Sequence, residues 1–403
     1  MERAILHCDC NCFFASVEML KRPEYREVPM AVGGSREDRH GIILAKNEKA
    51  KAYGVKTAET LGSALSKCPS LAILPPSYGD YERVSRAVNA LYSEYTDRVE
   101  PFGIDESYLD VTESWRLFAS SPAELGDVIR ERVKREIGVT VSVGVSFCKT
   151  FAKMGSDMKK PDATTVIGRA DVESKIWPLP VGDMIFIGRR TAEALCRQGI
   201  TTVGALAAAD PVWLRRFFGI NGIKLKDAAM GLEGEEVAKT HIKAPPKSVG
   251  NGMTFPKDLY TENEIKAATA ILTDKVMARM KKAGMACAVV SASVRYPDFA
   301  SAVKQVALPE PTDSFFEVEK EAEKLVFSLL QCGKGARAIT VSCSKLSEKS
   351  IDFIQENFFD FGAEKLQKLE SAVYGLKEKY GEAAVMTCAM MEGKEKGLRH
   401  PRG

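Results

Sequence analysis

Within VEPFGIDESYLDVT, residues 99 to 112, two carboxylates stand side by side in a strand-like run. Ile104, Tyr108, Leu109 and Val111 are its apolar or aromatic members; Asp105 and Glu106 are adjacent, and Asp110 adds a third acid. Neighbours in a regular strand point to opposite faces, so Asp105 and Glu106 can serve one centre only at a bend, a bulge or a strand end. Gly103 allows such a distortion. Burying like charges together is costly unless something positive sits between them. The stretch therefore demands a fold that brings positive charge to this point.

The surrounding pattern alternates strands and helices. RAILHCD, residues 3 to 9, reads as a strand ending at Asp9. The periodicity predicts helices over 13–20, 61–67, 81–95, 122–137 and 149–158, with Pro23, Pro69 and Pro161 as stops. VTVSVGVS, residues 139 to 146, alternates as a strand. A sheet backed by helices is the simplest architecture for the first ~165 residues, with acids at the ends of two strands.

At 403 residues the chain has room for two to four domains. With 45% hydrophobic and 28% charged residues it reads as globular, not disordered. It has no apolar run of bilayer length and no basic-then-apolar leader, so the expectation is a cytoplasmic protein with no membrane association. Ten cysteines without a C-x-x-C pair read as buried small hydrophobes in a reducing compartment. Histidine occurs only at 7, 40, 241 and 400, which leaves carboxylates as the place to look for chemistry.

Three acids on adjacent strands, with oxygen ligands only, suit Mg²⁺. Two such ions roughly 3.5–4 Å apart form the clamp used in phosphoryl and nucleotidyl transfer. The competing reading is ordinary salt-bridged acids; Asp110, later in the strand, fits that description.

Residues 168–236 read as helical with short glycine turns. Gly188 with Arg189 and Arg190, and Gly219 with Gly222, could present amides and cations to a DNA phosphate, or simply pack helices. KTHIKAPPKSVGNG is a linker by composition. A third, mildly basic region has strand signals at 248–255, 288–296, 302–308 and 336–343 and helices at 262–283 and 314–330. The tail carries Phe353, Phe358, Phe359 and Phe361, too dense for a solvated linker, and then a helix over 364–379.

HCDCNCFFASVEM and GIDESYLDVT together resemble the signature of the Y-family translesion DNA polymerases, closest to the bacterial DNA polymerase IV type. The similarity continues through VSVGVSFCKTFAKMGSDMKKPD, IGRRTAEALCRQGITTVGAL, KSVGNGMTF and VRYPDF, and so covers nearly the whole chain in family order. The resemblance implies an α+β, multidomain right-hand polymerase: a ferredoxin-like palm (1–12 and 77–166), small fingers (13–76), a helical thumb with helix-hairpin-helix turns (167–236), a linker (237–246), an α/β little finger (247–346) and a tail (347–403).

It further implies that Asp9, Asp105 and Glu106, with the Cys10 carbonyl, hold two Mg²⁺ ions, Mn²⁺ being a substitute. Phe14 falls at the steric gate that excludes a 2′-hydroxyl. Cys12, Phe13, Phe14, Lys51 and Lys160 would surround the deoxynucleotide. Gly188, Arg189, Arg190, Gly219, Gly222, Arg295 and Arg337 would grip primer–template DNA along its backbone. QENFF resembles the family's sliding-clamp peptide, with Gln355, Phe358 and Phe359 as anchors. The implied protein is a monomeric, low-fidelity, template-directed polymerase without proofreading.

Four positions depart from the family pattern. Asn11 replaces an Asp. Ala45 replaces a hydroxyl residue. Glu48 replaces a Tyr donor near the expected triphosphate, and Lys51 replaces an Arg fork. Lys46 and Lys49 are candidate compensating cations. These changes motivate an alternative, a catalytically weak DNA- and clamp-binding accessory. A nucleotide cyclase is a third reading, which leaves the DNA-gripping regions unexplained.

Overall fold

A computed structural model of the chain describes residues 2–34, 41–240, 245–330, 334–348, 361–395 and 398. Contacts divide it into two compact units, one of residues 1–34 and 42–243, the other chiefly of residues 244–403.

The first unit is organised by a five-stranded sheet with the order β5-β6-β1-β7-β8. Its strands are β1 (Ile5–Cys10), β5 (Val99–Pro101), β6 (Glu106–Asp110), β7 (Val141–Ser146) and β8 (Thr164–Ile167). β1 lies between β6 and β7, antiparallel to both, while β8 adds in parallel beside β7. With α4 (Tyr78–Tyr92) before the β5–β6 hairpin and α5 (Pro122–Glu136) before β7, the chain traces the ferredoxin-like βαββαβ order. The two helices cover one face: Val84, Val88 and Leu91 of α4 and Leu125, Ile129 and Val133 of α5 pack with Leu6, Cys8 and Cys10. Each fully buried Leu, Ile or Val contributes about 1.5–3 kcal/mol.

The other face of the sheet is covered by α6 (Lys149–Met158), the crossover from β7 to β8. Its closeness is imposed at Gly144 of β7, where a Cβ would drive into the Ala152 carbonyl oxygen and come within 2.5 Å of the Ser156 nitrogen. With both faces covered, all six residues of β7 are buried. The alternation expected from a strand with one wet face is therefore incomplete.

Between β1 and α4 lies a small three-stranded sheet, β3-β2-β4: β2 (Met30–Gly33), β3 (Ile43–Lys46) and β4 (Ala72–Leu74). Helix α1 (Phe13–Lys21) precedes it, and α2 (Glu48–Ala52) and α3 (Leu61–Lys67) pack on it through Ala50, Leu61 and Ala64. Four short helices follow the main sheet: α7 (Arg189–Cys196), α8 (Val203–Ala208), α9 (Pro211–Phe218) and α10 (Ile220–Ala229).

The second unit is a four-stranded antiparallel sheet in the order β11-β10-β12-β9. Its strands are β9 (Ser248–Leu259), β10 (Met285–Arg295), β11 (Ser301–Thr312) and β12 (Ala336–Glu348). Helices α11 (Glu262–Lys282) and α12 (Phe315–Leu329) bury one face against Val290, Val294, Ile339 and Val341. The tail helices α13 (Phe361–Tyr380) and α14 (Cys388–Glu395) also belong to this unit. Glu370 of α13 accepts from the Ser314 hydroxyl at 2.8 Å, and Met390 of α14 joins the core. Among the described residues no helix is long and apolar enough to cross a membrane, and the described cysteines are free thiols.

Candidate active site

The alternation of β1 sends Leu6, Cys8 and Cys10 into the α4–α5 core and leaves His7 and Asp9 on the α6 side. Asp9 pairs in register with Glu106 across the β1–β6 ladder, which sets both carboxylates on the same face. Asp105 sits just before β6 begins. The Phe102 and Gly103 amides both donate to the Glu106 carbonyl, at 2.9 and 3.2 Å, and close the turn. The adjacent acids are thus reconciled at a strand end. The Asp105 carbonyl accepts from the Cys10 amide at 2.9 Å and ties the turn to β1.

Two lysines fill the space among the acids. Lys153 of α6 places its Nζ 2.9 Å from Asp9 Oδ2 and 2.9 Å from Glu106 Oε1. Lys160 donates to Asp9 Oδ2 at 2.7 Å and to Asp157 Oδ1 at 2.8 Å. Burial works against the Lys153 charge, but Asp9 and Glu106 outweigh it and raise its pKa. Burial also opposes ionisation of Glu106, yet the nearby His7 ring and the hydrogen-bonded Lys153 ammonium hold it below the usual carboxylate value. Asp105 goes the other way: burial first, then the charges of Asp9 and Glu106, lift it to about 6. It is the acid of the three that the lysines do not neutralise directly.

The three acids offer oxygen donors only, a set that fits a hard divalent cation. Among the described residues no three such side chains are already drawn into a coordination shell. Ammonium groups of Lys153 and Lys160 stand among the acids.

Sequence reasoning passed over several members of this site. His7 is fully buried, its Nδ1 2.8 Å from Ser156 Oγ and its Nε2 3.4 Å from Glu106 Oε2. Burial holds it below the usual imidazole value. Lys153 was visible only as one lysine in FAKMGSDMKK; its i, i+4 spacing to Asp157 was the available signal. Asn11 accepts from the Ser142 hydroxyl at 2.9 Å and donates to Thr140 at 3.2 Å, so it ties β1 to β7. Asp110 accepts from the Thr112 amide and hydroxyl, in keeping with its structural reading.

Around the start of α1, Cys12 adopts left-handed backbone (φ 50°) and Phe13 is buried. The Phe14 ring lies against Tyr81. The Cys12 thiol donates to Glu48 Oε1 at 3.3 Å, and Lys51 reaches Glu48 Oε2 at 3.5 Å. Burial, then Glu48, pushes the Cys12 thiol up to about 11. Asn47 fixes Glu48 in place by capping α2 through Ala50 N (2.9 Å) and accepting from Met30 N (3.1 Å). Lys49 pairs with Glu27 at 2.8 Å, while Lys46 donates to Thr57 at 3.0 Å and, with Lys51, opposes the rise of the Cys12 thiol.

The expected DNA-contacting residues occupy two regions. Gly188 precedes α7, with Arg189 and Arg190 exposed; Arg189 pairs with Glu193 at 2.8 Å. Gly219, at φ 62°, joins α9 to α10. Gly222 is buried, its Cα so close to the Leu214 carbonyl that a Cβ would clash, and its amide donates to Gly219 at 3.2 Å. It serves helix packing. In the second unit the sheet face opposite the helices carries Ser291 and Ser293 beside Ser342 and Thr340, with Gly250 and Gly252 in the next strand. Arg295 lies exposed at the end of β10, and Arg337 packs over Phe299 at 4.5 Å. Gln355, Phe358 and Phe359 lie outside the described residues.

The impB/mucB/samB family matches residues 8–157, its C-terminal domain residues 246–356, and the family's HHH motif residues 169–200. The DNA polymerase IV of Acetivibrio thermocellus is 40% identical over 98% of this chain and 99% of its own length. The chain belongs to the Y-family DNA polymerases, DNA polymerase IV type. DNA polymerase IV 1 of Bacillus subtilis is 36% identical over 98% of this chain and 94% of its own. A solved Y-family DNA polymerase chimera superposes with a TM-score of 0.77 at 24% identity, covering 86% of this chain and 99% of that one. That likeness supports the right-hand fold of the Y-family, with its ferredoxin-like palm sheet.

Proposed function

We propose that this Y-family protein is a template-directed DNA polymerase acting in translesion synthesis, with Asp9, Asp105 and Glu106 as its catalytic carboxylates. The observation that carries this reading is the cross-strand pairing of Asp9 with Glu106, with Asp105 at the adjoining strand end. Two Mg²⁺ ions, or Mn²⁺, would be held by these acids and the Cys10 carbonyl, and would supply Lewis-acid activation of the primer 3′-hydroxyl and charge neutralisation at the α-phosphate. Lys160 and Lys51 would bind the triphosphate as point charges. Cys12 and Phe13 would turn the start of α1 toward it. The Phe14 ring would lie under the sugar and exclude a 2′-hydroxyl.

On this reading the palm comprises residues 1–12 and 77–166, the fingers 13–76, the thumb 167–236 and the little finger 247–346. Primer–template DNA would be held by Gly188, Arg189, Arg190, Gly219, Arg295 and Arg337, contacting backbone and not sequence. Gln355, Phe358 and Phe359 would dock a sliding clamp, with the enzyme a monomer.

Primer extension with Mg²⁺ and deoxynucleotides tests the reading. Wild type should extend; Asp105→Ala and Glu106→Ala should not, while DNA binding persists in all three. The Glu48–Lys51 pair favours a second reading, an accessory with weak synthesis. Tight DNA binding with no extension by wild type, Mn²⁺ included, would establish that alternative.

A further inference from the structure

Lys153 occupies a position built into the backbone. Its neighbours in α6, Ala152 and Ser156, are the residues against which Gly144 lets the helix close on β7. Gly155 faces the Gly144 Cα from the helix side, where a Cβ would come within 3.3 Å. Ser156 Oγ donates to the Lys153 carbonyl at 2.8 Å and is 2.8 Å from His7 Nδ1. The turn that bears Lys153 is thus clamped from both sides, and its side chain is only 14% exposed. The ammonium bridges one oxygen from each strand, Asp9 Oδ2 and Glu106 Oε1. A divalent cation on these acids would compete for the same oxygens and repel the ammonium. One helical turn further on, Asp157 Oδ2 lies 3.5 Å from the same Nζ on a half-exposed side chain whose other oxygen, Oδ1, accepts from Lys160 at 2.8 Å.

We propose that Lys153 is a displaceable internal cation of the carboxylate site. It neutralises Asp9 and Glu106 while no divalent ion is bound, and withdraws along α6 to Asp157 when one enters. The inference rests on the metal-binding role given above to Asp9, Asp105 and Glu106. It assigns Lys153 the setting of metal affinity, a positioning role without contact to substrate. Lys160 also donates to Asp9 Oδ2, at 2.7 Å, but it is Lys153 that joins Asp9 to Glu106 across the two strands, where the paired carboxylates would otherwise repel one another. With Lys153 there, metal entry is an exchange of one cation for another.

The test needs no catalysis. Mn²⁺ binding to the full chain is followed by electron paramagnetic resonance, and melting is measured in EDTA and in saturating Mn²⁺. Lys153→Met keeps the length of the side chain and removes its charge. It should lower the half-saturating Mn²⁺ concentration by at least about fivefold, the low end of coupling between competing ligands. Its melting temperature should fall below wild type in EDTA and rejoin it in Mn²⁺. Unchanged or weaker Mn²⁺ binding by Lys153→Met overturns the proposal. Asp157→Asn supplies a second arm, because it removes the carboxylate to which Lys153 withdraws when metal is bound: Mn²⁺ binding should weaken, and unchanged or tighter binding overturns the proposal as well. Asp9→Asn separates the two levels of argument. Wild type showing no Asp9-dependent Mn²⁺ binding overturns the metal role together with this inference. Asp9-dependent binding that Lys153→Met leaves unaltered overturns this inference alone.

Discussion

Phe14 lies face to face with Tyr81, their ring centroids 4.1 Å apart and their planes within 11° of parallel. Tyr81 is fully buried, and its hydroxyl donates to Glu18 at 2.7 Å. Tyr78 meets the Phe14 ring edge-on at 6.1 Å. The ring is therefore backed by a fixed surface and cannot tilt away from a sugar placed on it. Phe14→Ala should raise ribonucleotide incorporation relative to deoxynucleotide by roughly two orders of magnitude, the upper range of discrimination by shape in a pocket. The ratio of kcat/KM for the two sugars on one template base measures it. A ratio unchanged from wild type removes Phe14 from the gate.

Glu48 brings a negative charge to the Cys12 thiol at the start of α1, and it also holds Lys51. A triphosphate arriving there would meet repulsion and would have to take Lys51 from its partner. Glu48→Gln should lower the KM for deoxynucleotide by about two- to fivefold with kcat nearly kept, the scale of an exposed charge interaction. Steady-state single-nucleotide insertion measures both constants. An increase in KM would show instead that Glu48 aids nucleotide binding.

Gly144→Ala should be among the most damaging conservative changes in the chain. The added methyl meets backbone, the Ala152 carbonyl and the Ser156 amide, not a side chain able to rotate aside. Loss of about 3 kcal/mol or more is expected, at the upper end of overpacking costs. Urea denaturation read by circular dichroism checks it. A change below about 1 kcal/mol would mean that α6 slides off β7 freely, contrary to the tight approach described.

Glu319 of α12 titrates at about 6, raised chiefly by burial and then by Glu323 and Asp274. The folded chain holds this proton more tightly than the unfolded one. Its contribution to stability is complete below the ordinary value of 4.5 and is lost as pH rises through about 6. Glu319→Gln imitates the protonated form. It should raise the melting temperature near pH 8 and leave it unchanged near pH 4.5. Equal melting shifts at both pH values would detach the effect from this carboxyl.

The sequence by itself determined the local elements and the identity of the acids. Helix 61–67 and helix 149–158 were legible from apolar spacing and proline stops, because such periodicity reports which side of an element is buried. DES, residues 105 to 107, called for a bend, a bulge or a strand end, since adjacent acids cannot share a centre within a regular pleat. Family order along the chain carried the right-hand architecture. Only the tertiary structure decided what stands opposite those acids. The Asp9–Glu106 register is a long-range pairing, and the placement of Lys153 depends on how closely α6 approaches β7 at Gly144. The commitment of Lys49 to Glu27, the seating of Glu48 against Cys12 and the turning of His7 to Ser156 likewise join residues 22, 36 and 149 positions apart. Local pattern encodes which face is buried; it does not encode which distant side chain comes to meet that face, and the charge balance of this site is set by those meetings.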